Sequence, residues 1–547
     1  MNSPREVGHR LPLENNCPVE NKIRAALAAK RFFWTIEFIP SVDKVLRDEL
    51  QKLGGIADSL RGDALLAGFA VTDRVVSDRD PDSIAAAAHL ADQSGKQPLV
   101  HLSGKGRDID DYPQVLARLH EQGLENVLIV TGDRLKEEMR EGRARYLESV
   151  SAIDAARRAM PNLLIATAVN PFKYREEDTM AQLFKLNKKA RAGADFAIAQ
   201  IGWDMQKYPE VLKWIDTRGM GLPLVANIMP LTAPRARYIR RNQLAGVTIT
   251  DSLLAMLEHE EKALADRGAA RALRRAALQI IGVKLIGCAG VQITGIHAAE
   301  KLAALQREVV KVSEQCGDEA AWQLAWQESL ALPEGGCADP APKHGWRHGG
   351  VMPAARGDAP NITAAVSSVT APVPHARLNN LRYQLMSHVH RFWFEHGLGS
   401  RLLGLFCKPV QQRHATPDRI LASIERAIKG PLFGCENCGT CRLAATQYVC
   451  PETCPKGLAN GPCGGTTDNL CEFRDRECIH SVKYRIARDA GVLDELETLL
   501  APAVPAAIRK SSSWPVHYRG EGPQVIELKP AKRKTVSSNG IGGGQDT

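Results

Sequence analysis

Eight short apolar runs, each of strand length and each followed by a stretch with helical spacing, constrain the fold of this 547-residue chain more than any other feature. The runs occupy residues 33–39, 66–71, 98–102, 126–130, 163–168, 196–201, 224–229 and 290–293. Helical spacing is clearest over 42–60, 82–92, 112–122, 181–192 and 252–281. Strands that are apolar on both faces and alternate with helices imply a parallel sheet. Eight such units predict an α/β fold, a (β/α)8 TIM barrel. A doubly wound open sheet shares the local pattern, but no G-x-G-x-x-G follows any of the runs.

The alternation stops near residue 310, and the rest of the chain changes character. Residues 1–22 read as a flexible N-terminal tail, 23–312 as the barrel, and 313–376 as a helix end followed by a Pro/Gly/Ala-rich linker. Residues 377–500 read as a small cysteine-rich metal-binding domain, and 501–547, with its SSS, GIGGG and KRK stretches, as a disordered tail. Lys and Arg exceed Asp and Glu by 71 − 62 = 9, and much of the excess sits in runs such as 529–534, so the charge does not point to nucleic acid. The longest apolar stretch, 276–296, is interrupted by Gln279 and Lys284, which argues against a membrane span. The first residues lack the apolar core of a signal peptide, so a cytoplasmic location is expected. In that compartment the 13 cysteines read as thiols or metal ligands rather than disulfides.

In such barrels the chemistry sits where the strands end, so polar residues near the ends of apolar runs are the candidates. Glu37 lies inside the apolar stretch TIEFIP at 35–40. Burial there raises a carboxyl pKa toward the range of a general acid at neutral pH; the alternative is a structural carboxylate paired with a buried cation. Asp133 closes VLIVTGD at 127–133, where the preceding Gly132 permits a tight turn, and the same Asp could merely cap a helix. Gln200 ends the run at 196–201, and Thr72 and His101 take similar places after 68–71 and 98–100. Each is weak alone; five polar groups on one rim carry more.

Eight cysteines fall within 44 residues: Cys435, Cys438, Cys441, Cys450, Cys454, Cys463, Cys471 and Cys478. C-x2-C-x2-C spacing in a cytosolic chain is a metal signal, and eight thiolates suffice for two four-ligand sites. Tetrahedral zinc and an iron–sulfur cluster both suit the spacing.

The segments WTIEFIPS at 34–41, FAVTD at 69–73, VHLSGKGRD at 100–108, GLENVLIVTGD at 123–133 and LNKKARAGADFAIAQIGWD at 186–204 together resemble the methylenetetrahydrofolate reductase family. The stretch CPKGLANGPCGG at 454–465 is similar to the cysteine-rich C-terminal domain found with some bacterial members and to the separate cysteine-rich subunit of acetogenic ones. The resemblance implies a flavoprotein oxidoreductase of one-carbon metabolism and methionine biosynthesis. It would interconvert 5,10-methylenetetrahydrofolate and 5-methyltetrahydrofolate with NAD(P)H, and carry FAD or FMN. It further implies Glu37 as general acid, Asp133 as the carboxylate near the flavin ring and Gln200 as a folate-contacting amide. Thr72, His101, Thr131, Gly132, Asp133 and Lys189 fall on flavin-binding positions, Lys189 being suited by charge to phosphates. The chain departs from the family at 168–174, AVNPFKY, where many members carry an aromatic and then His-Pro-Glu, and at 201–204, IGWD.

Two other readings stay open on the residues alone. One is a pterin-binding methyltransferase barrel whose cysteines hold a thiol-activating zinc. The other is a non-catalytic protein with a zinc scaffold. Homo-oligomerisation and a redox partner protein are compatible with each enzyme reading.

Overall fold

Each of the eight apolar runs becomes a parallel strand in the computed structural model, which describes residues 19–41, 48, 50–51, 53–74, 82–134, 146–343, 345–346, 376–395 and 397–529. The strands are β1 (Phe33–Phe38), β2 (Leu66–Val71), β3 (Leu99–Ser103), β4 (Asn126–Val130), β5 (Leu164–Val169), β6 (Phe196–Ile201), β7 (Leu224–Ile228) and β8 (Gly290–Ile293). They pair in chain order, and β8 closes on β1 with Phe33 opposite Gly290 and Thr35 opposite Gln292. The barrel is therefore closed, as the run count predicts.

Period two along each strand divides the side chains between two cores. Outward residues such as Ile36, Val100, Val127 and Ile165 meet the surrounding helices. Inward residues such as Phe33, Leu128 and Phe196 fill the lumen with Ile23, Ala26 and Leu27 of the Lys22–Ala28 helix, which plugs the floor. A filled floor leaves the opposite end, where the strands finish, as the open mouth.

The helical stretch expected over 252–281 is two helices, Asp251–Ala263 and Ala269–Ile286. Between them Gly268 takes φ 81°, and the Asp266 carboxylate accepts from the amides of Gly268 and Ala270 at 3.1 and 2.7 Å, which starts the second helix. Part of the expected 42–60 helix lies outside the described residues; its end is the Gly54–Gly62 helix.

Beyond the barrel, the Glu319–Ser329 helix packs Trp322 against Gly282, and the Trp322 indole donates to the Leu278 carbonyl at 2.7 Å. The chain remains tied to the barrel as far as Trp346, whose amide donates to the Tyr174 carbonyl at 2.9 Å. Residues 347–375 of the expected linker lie outside the described residues.

The tail expected to be disordered from 501 is structured as far as 529. Leu499–Leu500 pairs antiparallel with Ile526–Glu527, and a Trp514–Arg519 helix lies between. The serine tract misleads because it is buried. Ser512 Oγ and the Ser513 amide each donate to the Glu425 carboxylate at 2.8 Å, so these polar residues satisfy an interior charge. Residues 530–547 lie outside the described residues, as do 1–18 of the expected N-terminal tail.

The cysteine-rich region docks on the barrel through the Glu176–Ala192 helix, of which 14 of 17 residues are buried. A helix on a barrel ordinarily keeps one face in water. Here the second face is covered by the Ile479–Ala490 helix, with Tyr484 Oη donating to Glu176 at 2.7 Å.

Candidate active site at the barrel mouth

Polar side chains follow the apolar lumen residues on the same inward faces and collect at the mouth. Glu37 on β1 is buried and accepts a 3.4 Å hydrogen bond from Gln292 Nε2 on β8, while its other oxygen, Oε2, has no partner. Desolvation moves its carboxyl up from 4.5 to about 7, against a smaller downward pull from the neighbouring Thr294 hydroxyl. The Thr294 hydroxyl donates its one proton to Asn227 Oδ1 at 2.7 Å, which ties the end of β8 to β7. Glu37 is thus an acid poised to ionise near neutral pH, and among the described residues no cation is paired to it.

On the neighbouring strands, Thr72 Oγ1 just past β2 and His101 Nε2 on β3 are buried, with no partner among the described residues. Burial lowers the His101 pKa to about 4 although Asp73 pulls it up, so the ring is neutral at physiological pH. Unsatisfied buried polar atoms are rare in folded proteins and cost free energy unless something bonds them. Those on Thr72, His101, Glu37 and Gln292 mark the mouth as a place for a polar ligand.

The remaining expected site residues are engaged with the protein itself. Gln200 ends β6, where its Oε1 accepts from the Ile201 amide at 2.9 Å and its Nε2 donates to the Ala245 carbonyl at 3.2 Å. Thr131 exchanges 3.4 Å contacts with Ser149. Lys189 Nζ donates to the Ala168 carbonyl at 2.6 Å, and burial lowers its pKa to about 7, with Lys185 adding to the shift. Asp133 keeps solvent contact, yet the surrounding protein and then the Glu472 charge push its carboxyl up.

Glu472 belongs to the cysteine module, which forms a wall of the mouth. Lys456 Nζ donates to the Gly132 carbonyl at 2.8 Å and pairs with Glu472 at 2.5 Å, and Glu472 accepts from the Arg134 amide at 2.8 Å. The 168–174 segment, divergent in sequence, holds the same module: Asn170 Nδ2 and Lys173 Nζ donate to the Gly464 carbonyl at 2.8 and 2.9 Å. Below them Glu148 accepts from the Ala459 and Asn460 amides and pairs with Lys185 at 2.9 Å. A cleft of about 460 Å³ opens beside this wall, with Arg107, Tyr146, Arg442 and Arg509 on its sides.

The eight cysteines form no disulfides and fall in two groups. Cys435, Cys438 and Cys450 each feel the charge of Cys441, whereas Cys463, Cys471 and Cys478 each feel that of Cys454. Burial pushes the Cys438 thiol up to about 11 and those of Cys450 and Cys463 to about 12, so unligated they are neutral. Among the described residues, no three of the His, Cys, Asp and Glu side chains converge closely enough to hold a metal ion. The division into fours matches the expected ligand count; the spatial arrangement does not form the expected sites.

Sequence reasoning missed Gln292, Asn227 and Thr294, although polar residues inside the 224–229 and 290–293 runs were a readable signal. Glu148, Lys456 and Glu472 had none, since the bonds that join module to barrel through them span hundreds of residues.

A closed (β/α)8 barrel with a floor plug and a polar, partly unsatisfied mouth defines the class of protein. The profile described as Methylenetetrahydrofolate reductase matches residues 22–312, just over half of the chain, and the chain belongs to that family. A second profile, Methylene-tetrahydrofolate reductase C terminal, matches residues 414–504. Methylenetetrahydrofolate reductase 1 of Schizosaccharomyces pombe is 26% identical over 178 residues, 31% of this chain and 29% of that protein. Methylenetetrahydrofolate reductase 2 of Saccharomyces cerevisiae is 24% identical over 171 residues, 30% of this chain and 28% of its own length. The matches thus span under a third of these curated relatives. A solved structure described as an uncharacterized protein from Clostridium thermocellum that binds two copies of 5-methyl-5,6,7,8-tetrahydrofolic acid shares 12% identity, at a TM-score of 0.40. It covers 53% of this chain and 98% of that one. Among the described residues no helix is long and apolar enough to cross a membrane.

Proposed function

We propose that this chain is a flavin-dependent oxidoreductase that interconverts 5,10-methylenetetrahydrofolate and 5-methyltetrahydrofolate, with NAD(P)H as electron donor, in the one-carbon supply to methionine. The observation that carries this is Glu37, a buried acid with a pKa of about 7 that has one free oxygen and no cationic partner among the described residues. Opening the imidazolidine ring of methylenetetrahydrofolate needs a proton on a ring nitrogen, and Glu37 has the pKa and the free oxygen of a donor for it. Gln292 fixes the other carboxyl oxygen, so the free one is held facing the lumen. Asn227 and Thr294 line the same end of the lumen and offer groups to orient a pterin; Gln200 stands there too, and would have to exchange its bonds to the Ala245 carbonyl and the Ile201 amide to join them.

The mouth suits a flavin on the evidence of its orphan atoms. Thr72 Oγ1 and the neutral His101 ring would hold it, with the Thr131–Gly132–Asp133 turn and Lys189 as further contacts. When bound, flavin supplies the hydride that reduces the ring-opened folate. Asp133, near Lys456 and Lys105, would bring a carboxyl to the rim whose charge is moderated by those two cations.

The cysteine quartets belong to the same proposal as thiolate holders of zinc or an iron–sulfur cluster. The donor chemistry and the four-and-four division support that role; the placement of the thiols does not, and no step is routed through a metal. The test is the visible spectrum and metal content of the purified full chain, followed by NAD(P)H oxidation coupled to methylenetetrahydrofolate. Flavin absorbance with folate-dependent turnover is expected. A colourless protein that does not take up added FAD or FMN would overturn the reading.

A further inference from the structure

The segment between Leu378 and Leu432 turns its apolar residues outward. Of the 22 exposed large hydrophobic side chains among the described residues, 14 lie within it. The Thr416–Phe433 helix is the plainest case. Its buried face is Asp418, Ala422, Glu425 and Lys429, while Ile420, Ile424, Ile428 and Leu432, at successive intervals of four, form a stripe in water. An amphipathic helix on a folded protein normally does the reverse.

The inversion is fixed, because the inward charges are satisfied. Glu425 accepts from Ser512, Ser513 and Lys429, and Asp418 accepts from the His414 amide at 2.8 Å. Rotating the helix to bury the isoleucines would carry those charges away from Ser512, Ser513 and the His414 amide and leave these donors buried without their acceptors. The Leu398–Cys407 helix repeats the pattern. Gly399, Gly404 and Cys407 face inward, and Leu405 and Phe406 are 71% and 73% exposed. Leu381, Leu385 and Trp393 extend the patch along the Ala376–His390 helix and the turn after it.

Exposed apolar surface on this scale is on the order of 1,000 Å², above the largest patch of an ordinary monomer and comparable to one side of a standard protein interface. Its charges select among occupants. Arg382, Arg391, Arg401, Lys408, Arg419 and Arg426 are exposed within the segment, and Glu395 is the one exposed acid there among the described residues. Two copies of such a face repel one another, whereas an acidic surface is attracted and steered. Arginine outnumbers lysine five to one among those cations, and the patch carries Phe392, Trp393 and Phe406. That is the composition of protein interface hot spots.

We propose that the arginine-rimmed apolar face of residues 378–432 is the docking surface for an acidic protein partner. The partner would sit over the first cysteine quartet: Cys435 follows the Thr416–Phe433 helix directly, and Lys429 Nζ stands 3.6 Å from Cys441 Sγ.

The test uses the full chain with a photo-crosslinking residue at Leu405 or Ile428, and at Lys311 on the barrel as control, in its native cells. A cross-linked protein is identified by mass spectrometry, purified separately and titrated against the wild-type chain by interferometry. The expected partner has a net negative charge and binds more weakly as salt is raised. Its Kd rises about tenfold or more for Ile424→Ser with Ile428→Ser, and for Arg419→Glu with Arg426→Glu. Circular dichroism melts identify any pair that perturbs the fold; the arginine pair, wholly on the surface, keeps the test standing if the serine pair does. Four results would each overturn the proposal. These are cross-links to a second copy of this chain, a partner without net negative charge, flotation on phosphatidylglycerol vesicles that the serine pair abolishes, or yields no higher than at Lys311.

Discussion

Replacing Glu37 with Gln removes one ionisable proton from the barrel and leaves a side chain of nearly the same shape. In the unfolded chain the carboxyl ionises near 4.5, and in the folded protein near 7. Between those values the folded protein holds a proton that the unfolded chain has lost, so stability falls as pH rises through that window and is level above it. The displacement corresponds to about 3 kcal/mol at pH 8. Gln carries no such penalty. Relative to wild type, Glu37→Gln should therefore gain about 3 kcal/mol on moving from pH 4.5 to pH 8, read from urea unfolding at several pH values. The same variant should lose folate reduction by roughly 10²–10⁴-fold while keeping NAD(P)H oxidation with an artificial acceptor. In wild type, folate reduction should decline as pH rises through 7 and the acid empties. A stability difference that does not change with pH, or equal loss of both half-reactions, would refute the assignment of Glu37 as a buried proton donor.

Thr72→Val replaces an unpartnered buried hydroxyl with a methyl, so the ligand-free protein should be as stable or slightly more so. Flavin binding should weaken about fivefold, read by equilibrium dialysis. Glu148→Ala should destabilise by about 3–5 kcal/mol in chemical denaturation, because Lys185 and the Asn460 amide lose their buried partner. The Lys185 pairing and the amide bonds hold the Glu148 pKa below the usual carboxylate range, against desolvation. Its contribution in wild type should therefore be present at neutral pH and lost as pH falls below that range. Gly246→Ala drives a Cβ into the Gly464 carbonyl at a φ of +70°, so it should loosen the module from the barrel, seen as faster limited proteolysis near residue 464.

The barrel was legible because its signal is local: eight apolar runs became eight strands with few shifts at their ends. Glu37 was legible for the same reason, a charge where the pattern demands an apolar residue. Gln200 shows the limit. Its position at a strand end was correct, but nothing local could show that the Ala245 carbonyl and the Ile201 amide engage both ends of its side chain. The serine tract at 511–513 failed in the opposite direction, since composition reads polarity as disorder and cannot see the buried Glu425 that the serines satisfy. The metal expectation rested on spacing alone. Spacing gave thiols enough for two four-ligand sites but determined neither which four belong together nor how closely they approach.

The contact between module and barrel draws on the 168–174 segment. An apolar interface would have left a readable excess of hydrophobic residues on the Glu176–Ala192 helix. The chain instead buries Asp178, Gln182, Lys185 and Lys188 there, and satisfies several of them with main-chain carbonyls and amides of the 459–469 loop. Burial lowers the Lys188 pKa strongly, with the Lys483 charge adding to it, so the contact gains little from charge attraction at that point. What such a polar contact supplies is registry, because each bond is met in one alignment. Asn170 and Lys173 both reach the Gly464 carbonyl, and Lys456 reaches the Gly132 carbonyl on the next wall. Side chains that would otherwise be free to meet a ligand at the rim are used to hold Cys463 and Glu472 beside Asp133. The 168–174 segment is therefore part of the barrel's half of the module's docking site.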